Sequence, residues 1–229
     1  MYEVPRIIIE VASAIIYIVL VKYMIKPYSL TREQRYLGLP LGFAFLGLSE
    51  IILTIQIVFP LTQLPGLSVA TRTFAFVFLA ITYYFSKKPA KNSQIVWTLT
   101  LSLLIIISAV LCLILVGAPL LNLQVPVSFS IFLRVLGLFF IAFISLHTLN
   151  SHIKKPEPTT IWIPLGFIML GISQYSQIIR IIDGSYAYGA AFVGSLVARF
   201  IGLAIFLFVA YRTFYGSKKR EGVDEKNRA

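Results

Sequence analysis

Acidic residues are scarce in this chain. Nine Asp and Glu stand against twenty Lys and Arg, and charged residues fill only 13% of its 229 positions. A soluble domain carries about a quarter charged residues, so a soluble fold is excluded at the outset. The two aspartates are Asp183, in a turn, and Asp224, near the C-terminus, so no aspartyl catalytic pair can form. Cys112 is the single cysteine and rules out an intramolecular disulfide. The two histidines, His147 and His152, fall close together with no carboxylate beside them, which speaks against a metal site or a haem held by facing histidines. A glycine-rich phosphate loop and a nucleophile elbow are also missing. No acid–base pair with a nucleophile can be assembled from what remains. The expectation is a protein that is not an enzyme and carries no cofactor.

What the chain has is apolar length. Hydrophobic residues make up 58% of it and come in long runs, and about 20 apolar residues cross a bilayer. Seven such runs fall at roughly 6–26, 36–59, 67–86, 94–117, 127–149, 160–182 and 189–214. The fold class is an all-α membrane protein of seven transmembrane helices, multi-pass in the cell membrane with the lipid bilayer as its main partner. The first run begins near Ile7 and lacks a small-residue cleavage site, so it reads as a mature helix rather than a signal peptide. Short connections carry the turn formers Pro27, Pro60, Pro65-Gly66, Pro89, Pro119, Pro156, Pro158 and Asp183-Gly184. The polar tail 216–229 is expected to be unstructured or to lie on the membrane.

The net charge of +11 does not imply nucleic acid, because the basic residues concentrate in alternate connections. Lys22, Lys26, Arg32 and Arg35 follow span 1. Lys87, Lys88 and Lys91 follow span 3, and Lys154 and Lys155 follow span 5. Arg212, Lys218, Lys219, Arg220, Lys226 and Arg228 close the chain, while the opposite side has only Arg6 and Arg180. The positive-inside rule then puts the N-terminus outside and the C-terminus in the cytoplasm. Tyr23, Tyr28, Tyr36, Tyr83, Tyr84, Trp97, Trp162, Tyr211 and Tyr215 stand at span ends, as an interfacial belt would. Lys218-Lys219-Arg220 suits anionic lipid headgroups, at about 1 kcal/mol per basic residue.

The chain also repeats itself. Pro40-Leu41-Gly42-Phe43 through Ser49-Glu50 returns as Pro164-Leu165-Gly166-Phe167 through Ser173-Gln174, and nine of the eighteen residues in 40–57 are identical 124 positions later. The same offset lays Glu10 on Arg134, and an offset of 127 lays Arg72 on Arg199 and Ser68 on Ser195. Self-similarity of this kind marks a repeat architecture. The expected organisation is a first three-helix repeat at 1–92, a linker helix at 93–125, a second repeat at 126–215 and a basic tail at 216–229. An odd number of helices per unit plus one linker makes the two units parallel, related by an axis along the membrane normal. In span count and orientation this 3+1+3 plan resembles the SWEET-type sugar transporters, and the topology resembles that of rhodopsins. The proline-glutamine motif of the transporters is absent. Span 7 reads Arg199-Phe200-Ile201-Gly202-Leu203-Ala204, with no lysine for a retinal Schiff base.

Five ionisable residues lie inside the spans: Glu10, Glu50, Arg72, Arg134 and Arg199. Each costs a few kcal/mol at the bilayer centre, so such residues pair or line a polar cavity. All five fall at or outward of the midplane, a slab that predicts a polar vestibule or a buried ion-pair network. Gly47, Glu50 and Thr54 share one helix face, as do Ser173, Gln177 and Arg180. Gly194, Ala198 and Gly202 make a small-residue stripe for close helix contact. Two carboxylates against three guanidiniums leave one surplus cation, which an anionic ligand would neutralise. The candidate ligand-binding residues are Glu50, Arg72, Arg199, Glu10, Arg134 and Gln174, in a protein that transports or senses a small anionic solute. Two alternatives stand beside this. The charges can be structural ion pairs, and the chain can be a non-catalytic subunit that meets other membrane subunits through spans 4 and 5.

Overall fold

A computed structural model describes residues 3–31, 37–59, 65–85, 90–117, 126–182 and 187–226; the side chains of Arg180 and of residues beyond Thr213 lie outside what it describes. Among the described residues the chain forms α1 (Glu3–Met24), α2 (Lys26–Thr31), α3 (Gly38–Val58), α4 (Pro65–Phe85), α5 (Ala90–Gly117), α6 (Val127–Lys154), α7 (Trp162–Ile182) and α8 (Ala187–Lys226). All but the short α2 are long and apolar enough to cross a membrane. The seven expected spans are therefore present as helices. The turn formers Pro60, Pro89, Pro119 and Asp183-Gly184 lie outside the described residues.

Proline placement explains several boundaries. Pro27 has no N–H to donate to the carbonyl four residues back, and the helix breaks at Ile25 before resuming as α2. Pro65, expected in a connection, instead opens α4, where a missing N–H costs nothing. Pro40 and Pro164 each sit at the third residue of their helices, α3 and α7, again inside the first turn. Both of these helices have 21 residues. Lys155 leaves α6 in a non-helical conformation, as the residue before Pro156 must. The tail is not unstructured as far as Lys226, because α8 stays helical to that residue. Extending an established helix is far easier than starting one, and Lys, Arg and Glu are good helix formers.

Six helices close into a ring: α1 packs on α3, α3 on α4, α4 on α6, α6 on α7, α7 on α8, and α8 returns to α1. The α8–α1 seam is the least extensive of the six. The seventh spanning helix, α5, lies outside the ring against α4. It is pinned at one end by Leu111, Cys112 and Leu115, which pack near Leu67 and Ala70. At the other end Trp97 is buried against Phe85, with ring centroids 5.7 Å apart. Trp97 is thus a packing residue and not part of an interfacial belt, because Gly38 on α3 leaves room for its ring. Between these pins Leu99, Leu103 and Ile106 remain exposed.

The core fills the half of the ring where α3 and α7 begin. Phe206 on α8 meets Phe43 on α3 and Phe167 on α7 edge-on, at 5.4 and 4.8 Å between centroids. Tyr17, Leu79, Ile141 and Leu203 complete a fully enclosed cluster. Small residues set the helix spacing. A methyl at Gly42 would stand 2.5 Å from Leu79, and one at Gly166 would stand 2.9 Å from Phe206. Gly47 faces Tyr17 and Gly171 faces Ile141. In the expected stripe on α8, Gly202 and Ala198 are buried, but Gly194 is exposed with nothing near it.

Candidate functional site

The opposite half of the ring, where α1, α4, α6 and α8 begin, holds the charges. Glu10, Arg72 and Arg134 each follow their helix start by seven residues, about 10 Å at 1.5 Å per residue. Each of the six ring helices contributes to one polar network, and among the described residues α5 contributes nothing to it.

Glu50 on α3 is the hub. It is fully buried and receives two arginines from helices on different sides of the ring. Arg72 on α4 donates through Nη2 to Glu50 Oε1 at 2.9 Å and through Nε to Ser49 Oγ at 3.1 Å. Arg199 on α8 donates through Nη1 to Glu50 Oε2 at 2.5 Å. The other terminal nitrogen of Arg199 lies 2.8 Å from Glu10 Oε2 on α1, close enough to pair as charges although not aligned as a hydrogen bond. Arg199 thus staples the α8–α1 seam and reaches across to α3.

Gln177 on α7 extends the network. Its Oε1 accepts from Arg72 Nη1 at 3.2 Å and from Arg134 Nη1 on α6. Its Nε2 donates to Ser195 Oγ at 3.3 Å, and Ser195 in turn bonds the Ser173 hydroxyl and carbonyl, each at 3.1 Å. Thr73 adds a neighbouring α4–α6 tie, donating to the Leu133 carbonyl at 2.9 Å.

Five of the six candidate residues, Glu10, Glu50, Arg72, Arg134 and Arg199, therefore come together. Gln174 does not join them. It is buried, but no hydrogen bond links it to the network among the described residues. Gln177, one turn later, takes that place. Thr54 also turns away, donating to the Glu50 carbonyl of its own helix at 2.9 Å. Ser49, Ser195 and Gln177 were the participants without a charge to flag them. Gln177 stands 124 residues after Leu53, so the repeated pattern concealed rather than revealed it.

A cavity of about 40 Å³ adjoins the network, lined by Arg6, Glu10, Arg72, Arg134, Gln177 and Arg199 with Ser68, Ser195 and apolar side chains. A water needs about 10–15 Å³ of such space, so the cavity accommodates roughly three atoms of water size. The Nε of Arg199 and the Oγ of Ser13 are buried without a hydrogen-bond partner among the described residues. Buried donors of this kind cost about 1–3 kcal/mol if left unmet. Among the described residues no three His, Cys, Asp or Glu gather as a metal site would require. His147 stacks near Tyr83 and Phe143, and His152 Nδ1 lies 2.6 Å from Thr160 Oγ1.

Protein-family models, curated proteins and solved structures were compared with this chain, and none matches it.

Proposed function

We propose that this protein binds a small anionic solute in the charged half of its ring, as a transporter or sensor and not as an enzyme. One observation carries the reading. Arg72 and Arg199 converge on the single carboxylate of Glu50 beside a cavity with two further arginines in its wall. The cavity wall carries the guanidiniums of Arg6, Arg72, Arg134 and Arg199 with the carboxylate of Glu10. Planar guanidinium forks suit a carboxylate. The asymmetry of Lys and Arg in the connections supports an N-terminus outside, so the site opens toward the outer leaflet.

The parallel 3+1+3 repeat belongs to the same proposal. It is supported by the ring order, which maps onto itself when α1, α3 and α4 are exchanged for α6, α7 and α8. It is also supported by matched contacts: Gly42 with Leu79 against Gly166 with Phe206, and Gly47 with Tyr17 against Gly171 with Ile141. The first partners stand 124 residues apart, and Leu79 and Phe206 stand 127 apart, the two offsets found in the sequence.

The test is thermal unfolding of the detergent-purified protein in sodium acetate, sodium chloride and sodium gluconate at equal ionic strength. Acetate or chloride is expected to raise Tm over gluconate, and Arg134→Gln is expected to remove that dependence while the protein still folds. A Tm indifferent to the anion, with Arg72→Ala and Arg199→Ala also folding and indifferent, overturns the reading. A second reading, an accessory subunit of a larger assembly, is favoured by the exposed apolar length of α5. Stoichiometric partners co-purifying from native membranes would support it.

A further inference from the structure

The α8–α1 seam has a second feature beside the charged cavity. On its outer surface runs an apolar groove of about 430 Å³, lined by Ile9 of α1 and by Val193, Val197, Phe200 and Ile201 of α8. Arg6, Phe192 and Leu196 line both the groove and the charged cavity. The two spaces are therefore divided by one layer of side chains, in which the Arg6 guanidinium lies 5.7 Å over the Phe192 ring. This is the least extensive seam of the ring.

We propose that the ligand is a long-chain carboxylate taken laterally from the membrane, its head group in the arginine-lined cavity and its hydrocarbon chain in the α8–α1 groove. This inference rests on the anion-binding reading above and names the ligand class. Three matches argue for it. The first is size at the head. The cavity accommodates about three water-sized atoms, which a carboxylate supplies and a substituted phosphate with its glycerol exceeds.

The second is shape and direction. The groove follows α8 from Phe192 to Ile201, about 13 Å at 1.5 Å per residue, with its only charged lining residue, Arg6, near the start of α1. A single acyl chain lying parallel to the helices has that form, polar at one end and apolar along its length. The third is charge. Arg6 and Arg199 flank the dividing layer, and Arg199 Nε is a buried donor without an acceptor among the described residues. A carboxylate passing Phe192 would meet both guanidiniums. Chain burial is favourable relative to water, but contributes nothing relative to lipid. Selectivity over bulk lipid must therefore come from the head.

The experiment uses the full-length protein in lipid nanodiscs and a fatty acid with a mid-chain diazirine, with crosslinks mapped by mass spectrometry. Adducts are expected to concentrate on residues 192–201. Oleate is expected to compete at least tenfold better than oleyl alcohol, acetate or chloride. Arg6→Gln should lower labelling at least tenfold. Because that variant can perturb the α1 terminus, Val197→Phe serves as a second probe: it fills an exposed groove position and should block labelling while preserving the Tm. Adducts spread evenly over exposed faces such as α5, or oleyl alcohol competing as well as oleate, overturn the inference. If acetate or chloride raises Tm but oleate does not compete in the labelling, the small-anion reading survives and the amphiphile does not. If no anion of either kind has any effect, both fail.

Discussion

Glu50 shows how one side chain can hold together helices that are distant along the chain. Both of its oxygens are taken by guanidiniums from α4 and α8, with almost no solvent access. Glu50→Gln keeps the shape and removes the charge, leaving Arg72 and Arg199 buried with only Glu10 to offset them. Breaking a buried pair from one side costs about 3–5 kcal/mol. The expected outcome is a loss of that order in chemical unfolding of the micelle-solubilised protein. Gln174→Leu, at a buried position outside the network, uncovers no charge and should cost about 1 kcal/mol, the net worth of an ordinary hydrogen bond, or less. Equal losses from the two would contradict the hub role. The charged residues were legible in the sequence because an ionised group in a span is expensive and rare. Gln177 was legible as part of a helix face with Ser173 and Arg180 but not as the acceptor of two arginines, because a neutral polar residue carries no such penalty and its offset partner is Leu53. Gln174 drew attention as the counterpart of Glu50, but it is the neutral Gln177, one turn later, whose amide oxygen accepts from Arg72 and Arg134.

At the scale of the helices, close packing rests on a few glycines, and their neighbours decide which ones matter. A methyl at Gly202 would stand 3.0 Å from the Gly166 carbonyl oxygen and 3.3 Å from Met169. Backbone cannot swing aside as a flexible side chain can, so Gly202→Ala must separate α7 from α8. An overpacking cost of about 1–3 kcal/mol is expected. Gly194, about two turns away at 3.6 residues per turn but open to the outside, has no atom within 4 Å of the added methyl. Gly194→Ala should be neutral or stabilising by about 0.5–1 kcal/mol, since alanine favours helix. Measured melting temperatures that fall for both, or for neither, would show that the α7–α8 contact is not set by Gly202. Helix existence was plain from hydrophobic length. The facing of individual small residues was not, because glycine leaves no hydrophobic signature to give a helix its phase. The end of α8 was not legible as helix for a related reason. Its polar residues 217–226 lack an apolar stripe, yet they follow directly on a formed helix and need no nucleation of their own.

Across the whole molecule, residues 40–57 and 164–181 share nine of eighteen residues yet differ in charge where Glu50 stands against Gln174. Arg72 bonds Ser49 and Glu50 on the helix next to it. If α6, α7 and α8 repeat α1, α3 and α4, the matching acceptors of Arg199 are Ser173 and residue 174 on α7. Residue 174 is Gln, and Arg199 reaches instead across the ring to Glu50 and Glu10. Under the proposed repeat, the single carboxylate of Glu50 breaks the pseudo-symmetry and draws both arginines toward α3. This leads to a test of the repeat by transposition. Gln174→Glu alone adds a third buried carboxylate, after Glu10 and Glu50, on α7. Glu50→Gln alone removes the hub. Combined, the two substitutions restore the charge count and give Arg199 a carboxylate on its own neighbouring helix, while Arg72 becomes the arm that must reach across. Neighbouring sites in one network couple by about 0.5–3 kcal/mol. The double variant is expected to recover at least half of the stability lost in Glu50→Gln, measured as a double-mutant cycle by denaturant unfolding. Full recovery is not expected, because Arg134 occupies the position that corresponds to Glu10 and would oppose Arg72 there. Strict additivity of the two single losses would mean that Gln174 and Glu50 are not equivalent positions around the ring, and the repeat would then extend to sequence without extending to electrostatic design.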